Sequence, residues 1–234
     1  MKQTIILLHG LFGGLSNWHG VIKYFEGRYN ILVPQLPLYQ KHEGDTVEYL
    51  VNFLVETVEE AGAQQVVLVG NSLGGHIAIR YAHRSPHRVS KMVLTGSSGL
   101  YENMQAGSYL RRSNYAYLKE RIAATFYDAA LATDELVAEV MQVTTDTYKC
   151  LCIVKAAKAT QRDKVLGILA EIETPVLLIW GNNDTITPPD VARHFWDNLP
   201  DARLVMLNNC GHAPMMERPD EFNKTLEDFL NEEE

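Results

Sequence analysis

The sequence predicts an α/β fold in which a parallel sheet is covered by helices on both faces. Two observations lead there. Six short apolar runs recur, each closed by turn residues: Thr4 to Leu8, Ile31 to Val33, Val66 to Val69, Met92 to Leu94, Val176 to Ile179 and Leu204 to Leu207. They are leucine-rich or β-branched and do not alternate with polar residues, as expected of strands buried on both faces. Helical periodicity fills most gaps between them, and strand–helix alternation requires right-handed crossovers in a doubly wound sheet.

The first strand starts almost at residue 1. Only a short apolar run, Ile5 to Leu8, separates Lys2 from His9-Gly10, too short for a signal-peptide core or a membrane span. A cytoplasmic protein is therefore expected. After the second run, Val47, Leu50, Val51, Leu54, Val55 and Val58 form a wide helical stripe. Asp45 or Thr46 supplies its N-cap, and Gly62 lies past its end. The third run leads straight into a helical segment from Gly75 to His83, and the fourth follows Pro86.

From about Tyr101 to Ala170 no strand pattern appears, and no proline occurs between Pro86 and Pro175. Leu136, Val137, Val140 and Met141 form one helical face; Ile153, Val154 and Ala157 form part of another. Three or four helices are expected here, inserted between two strands. Six of the eleven tyrosines fall in this stretch, at 101, 109, 115, 117, 127 and 148. Ordinary helix packing and a roof over a cleft both account for them. The last two strands follow, then a helix with the stripe Phe222, Leu226, Phe229 and Leu230.

Composition sets the bounds. At 234 residues, the chain suits one domain with an inserted sub-domain. Its 46% hydrophobic and 21% charged residues argue against disorder. A formal net charge of −8, from 21 Lys plus Arg against 29 Asp plus Glu, disfavours nucleic acid as a partner. Three cysteines, Cys150, Cys152 and Cys210, form neither a disulfide framework nor a zinc site and fit a reducing compartment. His83 and His87 flank the helix-breaking Pro86 and are read as surface residues, so no metal site is expected.

The strongest chemical signal is Gly70-Asn71-Ser72-Leu73-Gly74, between an apolar run and a helix. A serine hydroxyl is a weak nucleophile unless a base takes its proton, so it must stand clear of the backbone. A sharp strand-to-helix turn achieves that at the cost of strained dihedrals, and the crowded positions two before and two after must be small. The helix N-terminus also aims free N–H groups at a developing anion. A tetrahedral intermediate needs two such donors. Leu73 can give one; the glycine-rich loop His9-Gly10-Leu11-Phe12-Gly13-Gly14 can give the other, from Leu11 with Phe12 as second choice. His9 is read as a brace for that loop.

Asp184 follows the fifth strand and His212 the sixth. In a parallel sheet both loops meet the Ser72 turn at the carboxyl edge, where ligands bind. Ser72, Asp184 and His212 occur in the chain order of one triad family. His212 would take the serine proton while Asp184 holds its other ring nitrogen. Cys210, near His212, is read as packed beneath the histidine loop.

Through His9-Gly10-Leu11-Phe12-Gly13, Gly70-Asn71-Ser72-Leu73-Gly74-Gly75, Trp180-Gly181 to Asp184 and Cys210-Gly211-His212, the sequence resembles the α/β-hydrolase family, in its subgroup of small capped, carboxylesterase-like serine hydrolases. The resemblance covers nearly the whole chain. It implies the fold, the Ser72–Asp184–His212 triad, the Leu11 and Leu73 oxyanion donors, and a helical cap over 101–170 inserted in a core of 1–100 and 171–234. Family sheets usually carry two further strands before the His-Gly loop. Met1 leaves no room for them, so about six strands, all parallel, are expected.

Serine at 72 disfavours the dehalogenases and epoxide hydrolases of the family, which use aspartate there. Carbon–carbon bond hydrolases resemble Cys210-Gly211-His212 but typically carry tryptophan next; Ala213 counts against that activity. The expected function is hydrolysis of a small carboxylic ester through an acyl-enzyme at Ser72, without cofactor, metal or membrane insertion. A thioesterase, acyltransferase or perhydrolase would use the same triad, and a ligand-sensing protein would retain it.

Overall fold

The structure, a computed structural model, describes residues 2–13, 15–103 and 113–232, with the backbone alone at 15–17. Tyr109 lies outside the described residues. Six strands, all parallel, form one sheet: β1 Thr4–Leu8, β2 Asn30–Leu32, β3 Val66–Asn71, β4 Val89–Thr95, β5 Val176–Gly181 and β6 Ala202–Leu207. Their order is β2-β1-β3-β4-β5-β6. Helices α1 Leu15–Phe25, α8 Pro214–Glu217 and α9 Pro219–Asn231 cover one face. Helices α2 Thr46–Glu60, α3 Leu73–Arg84 and α7 Pro189–Asn198 cover the other.

Successive strand residues point to opposite faces. Ile6 and Leu8 pack under α2 and α3, while Ile5 and Leu7 pack under α1 and α9. Both faces are covered, so all four are buried, which is why the run does not alternate. Each such side chain contributes ~1.5–3 kcal/mol of burial free energy. In α2 the Asp45 side chain accepts from the Val47 and Glu48 amides, and Leu50, Val51, Leu54 and Val58 are buried, as the stripe predicts.

Between β4 and β5 lie α4 Tyr115–Ala123, α5 Asp134–Thr145 and α6 Thr147–Arg162. Asn114, Thr133 and Asp146 cap them through their side chains. Val137, Val140 and Ile153 turn inward, as expected. The far end of this insertion is tied to the core where Val165 N donates to Gly99 O at 2.9 Å and Asp163 accepts from Arg80 Nε at 2.8 Å. No helix among the described residues is long and apolar enough to cross a membrane.

The chain leaves β1 towards β2, then returns to place β3 on the other side of β1. This reversal opens a crevice between the loops that end β1 and β3, where open α/β sheets bind ligands. The His9–Gly13 loop and Ser72 are those two loop ends.

Strands β3, β4, β5 and β6 are longer than their apolar runs suggest, and β4 is extended most at its start. β4 begins at Val89, and Lys91 within it is buried. Its Nζ donates to Phe229 O at 2.8 Å, Leu230 O at 3.3 Å and Glu232 O at 2.7 Å, capping the C-terminus of α9. Lys91→Met should therefore cost ~1.5–3 kcal/mol, because hydrogen bonds to a charged donor are lost and carbonyls are left bare. Urea denaturation should show the loss. Hydrogen exchange should quicken in the last turn of α9 while α2 stays protected.

Candidate active site

Ser72 joins β3 to α3 without an intervening residue, at φ 54° and ψ −118°. A non-glycine residue there costs about 1–3 kcal/mol and persists only where its surroundings over-determine it. They do so here. Ser72 N donates to Thr95 O at 3.1 Å, while Ser72 O accepts from the amides of Gly75, His76 and Ser98 at 3.1–3.2 Å. The crowding expected of such a turn is present. A Cβ on Gly70 would sit 2.6 Å from the Gly74 carbonyl, and one on Gly74 would collide with the Leu8 backbone.

Asp184 is buried, and four donors fill its carboxylate. Oδ1 accepts from the amides of Ile186 (2.8 Å) and Thr187 (2.9 Å). Oδ2 accepts from the Thr187 hydroxyl (2.8 Å) and His212 Nδ1 (2.9 Å). Nδ1 therefore carries the proton, which leaves Nε2 with its lone pair. Burial pushes the His212 pKa down. The Asp184 charge and hydrogen bond, with Glu102 and Glu217, outweigh this and raise it above 6.5. Among the described residues no direct Ser72–His212 hydrogen bond is formed; such bonds are often long before substrate binds.

The histidine loop is anchored from three sides. Asn71 Nδ2 donates to His212 O at 3.1 Å and to Thr95 O at 3.0 Å, joining the serine turn to the histidine. His212 N donates to Thr125 O of the insertion at 2.9 Å. Glu217 accepts from the amides of Gly211 (2.8 Å), Ala213 (3.1 Å) and Tyr127 (2.8 Å). Cys210 packs beneath, fully buried; burial, reinforced by Glu217, pushes its thiol far up and disfavours the thiolate.

On the opposite side, a Cβ on Gly10 would lie 3.3 Å from Ser72 Cβ, so the β1 loop rests against the serine. Leu73 opens α3, and its amide is among those a helix start leaves unpaired. Leu11 is half-buried and Phe12 37% exposed. His9 braces this loop as expected: Leu36 N donates to Nε2 at 3.1 Å, and Nδ1 donates to Gly10 O at 2.7 Å. A cavity of about 160 Å³ follows the loop, walled by Leu11, Phe12, Leu36, Tyr39, Val140 and Val143; Ser72 is not in its wall.

Sequence reasoning thus brought Ser72, Asp184 and His212 to one edge, and the structure places them there. It missed Thr187, Glu217 and Asn71 as a clamp. It also missed that His83 has an acidic partner, Glu171, at 2.8 Å. No cluster of three or more possible metal ligands occurs among the described residues.

Residues 5–225 match the Alpha/beta hydrolase family. A parallel sheet with a strained serine turn and an Asp–His pair at its carboxyl edge is the frame of such hydrolases. The chain belongs to that family. It is 30% identical to a 2-hydroxy-6-oxononadienedioate/2-hydroxy-6-oxononatrienedioate hydrolase of Cupriavidus pinatubonensis, over 97% of this chain and 86% of that one. It is 38% identical to an α/β hydrolase enzyme from the metagenome of Mar Chica lagoon sediments, Morocco, with a TM-score of 0.79 over 98% of this chain and 91% of that one. A 2-hydroxy-6-oxo-6-phenylhexa-2,4-dienoate hydrolase from a Rhodococcus strain shares the fold at 23% identity and a TM-score of 0.84, covering 99% of this chain and 91% of its own.

Burial lowers the pKa of His9 and of His76, the latter against a nearby Asp163, below the ordinary 6.5. The unfolded chain then binds these protons first, so their contribution to stability is present above about pH 6.5 and is lost as pH falls through the folded values. The raised His212 acts with opposite sign: its contribution is present below about pH 6.5 and lost as pH rises through its folded value. Gln at position 9 can keep both hydrogen bonds without titrating. The difference in urea midpoint between about pH 7.5 and about pH 5.5 should therefore be smaller in His9→Gln than in the wild type.

Proposed function

We propose that the protein is a serine hydrolase of small carboxylic esters. The observation that carries this reading is the strained Ser72 turn clamped, through Asn71, to a His212 whose Nδ1 proton is fixed on Asp184. His212 Nε2 takes the Ser72 proton as Oγ attacks the acyl carbon. The amides of Leu73 and Leu11, with Phe12 as the alternative second donor, hold the oxyanion. Collapse expels the alcohol, which takes the proton from His212 and leaves an acyl-enzyme. His212 then deprotonates water, whose attack releases the acid and returns the proton to Ser72.

In this reading residues 101–170 cap a core of 1–100 and 171–234. Support comes from α5, which walls the cavity beside the oxyanion loop through Val140 and Val143. A second reading, hydrolysis of a carbon–carbon bond, is favoured by the names of relatives such as the Cupriavidus hydrolase. The same serine would attack a ketone, and a carbanion would leave. Ala213 after His212 remains the argument for esters.

A fluorophosphonate probe should label the protein once, at Ser72; a label on Cys210 or Ser97 would sink the mechanism. Asp184→Asn and His212→Ala should each lower kcat by ~10³-fold, and the double variant should be scarcely worse than the poorer single. Over p-nitrophenyl esters of rising acyl length, kcat/KM should climb and then fall, since each buried methylene adds ~0.8 kcal/mol until a wall is met. Val143→Ala, which widens the cavity beside the oxyanion loop, should move that optimum to longer chains. Faster turnover of a 2-hydroxy-6-oxodienoate than of any ester would give the assignment to carbon–carbon hydrolysis, and no turnover of either would leave the ligand-sensing reading.

A further inference from the structure

A groove of about 650 Å³ runs between residues 38–43, which lead into α2, and the N-terminal half of α6. Leu38 is in its wall and also in the wall of the cavity beside the oxyanion loop. Ser72, Asp184 and His212 are not part of it.

The groove gathers basic groups in a chain whose formal net charge is −8. Lys41 and His42 line one side and Lys155 the other. His42 is fixed in place. Its ring stacks on Tyr49 at 4.3 Å and 5°, and Nδ1 donates to Gln40 O at 3.2 Å. Nε2 is left as the acceptor, and it meets the Thr46 hydroxyl at 3.1 Å and Lys155 Nζ at 3.0 Å. The Lys155 ammonium therefore donates to an uncharged imidazole. Among the described residues neither Lys155 nor Lys41 forms an ion pair, although Glu43 also lines the groove. An ammonium gains more from an anion than from a neutral acceptor, and two cations facing one concavity concentrate anions there.

The α6 wall is apolar beside these charges. Leu151 is 62% and Tyr148 45% exposed, and both face the groove with Leu38. Large apolar side chains left in water next to a charged rim mark a binding surface for a ligand of matching chemistry.

We propose that this groove binds a small amphiphilic carboxylate. Its head sits on Lys155 and Lys41, and its apolar chain lies over Leu151, Tyr148 and Leu38. The site stands apart from the serine reading, because the ligand is bound and not turned over.

Hexanoate is the probe, with hexanol, hexylammonium and inorganic phosphate as comparisons, and binding is followed by NMR of methyl-labelled leucines and of the His42 ring. Hexanoate should shift Leu151 and His42 together along one saturation curve, whether or not Leu11 moves. Lys155→Gln should weaken binding about fivefold, the upper range for an exposed ion pair. Raising salt from about 0.05 M to about 0.5 M should weaken it too. Octanoate should bind more tightly than hexanoate, by up to ~4-fold per added methylene, and Leu151→Ser should flatten that gain.

Lys155 and Lys41 are both exposed, so either can be replaced without opening the core. If Lys155→Gln does not fold, Lys41→Gln is read the same way. Binding of hexanol or hexylammonium as tight as that of hexanoate would overturn the proposal, since the groove would then be apolar only. Phosphate binding as tight as hexanoate would overturn the role of the chain. Shifts confined to Leu11 and Leu73 would put hexanoate at the serine edge instead, and unchanged affinity in both lysine variants would remove the charged head site.

Discussion

The site depends on a single backbone constraint: β3 must become α3 at Ser72, with no residue to spare. The dihedrals of that residue are unfavourable, and four backbone hydrogen bonds hold them. Gly70 and Gly74 let the two backbones close on each other, and Gly74 admits the end of β1. The neighbouring strands therefore have to be parallel and in register at this edge, or the turn would relax.

That packing also settles where the other groups stand. Thr95, at the end of β4, accepts both the Ser72 amide and the Asn71 side chain. Asn71 then reaches His212, in the loop after β6, three strands across the sheet from β3. The Asp184 loop is fixed by its own turn, with Ile186 and Thr187 donating back to the carboxylate. Distances of a few ångströms between remote parts of the sequence follow from strand spacing and short side-chain clamps.

The strand cores and the serine, aspartate and histidine positions were legible because each sits at a sharp change of pattern, from an apolar run to glycine or a polar loop. Strand ends were less legible. Lys91 hides the start of β4, since a charged residue reads as a boundary until its carbonyl partners on α9 are known. Asn71 reads as the variable residue of a motif, although its amide joins two loops. Thr187 and Glu217 were not legible at all. Their partners are backbone amides or side chains brought close only by folding, and no local pattern marks them.

The inserted helices do more than lie over the sheet. The amide of His212 is bound to Thr125 O, and Glu217 ties Tyr127 to the same loop. Part of the support of the imidazole thus comes from the segment inserted between β4 and β5. A transplant of another hydrolase's insertion into this scaffold would bring new pocket walls and discard a structural member of the base loop. Chimaeras should retain the Ala124-Thr125-Phe126-Tyr127 stretch, grafting only beyond it, so that specificity can be redesigned without unseating the histidine.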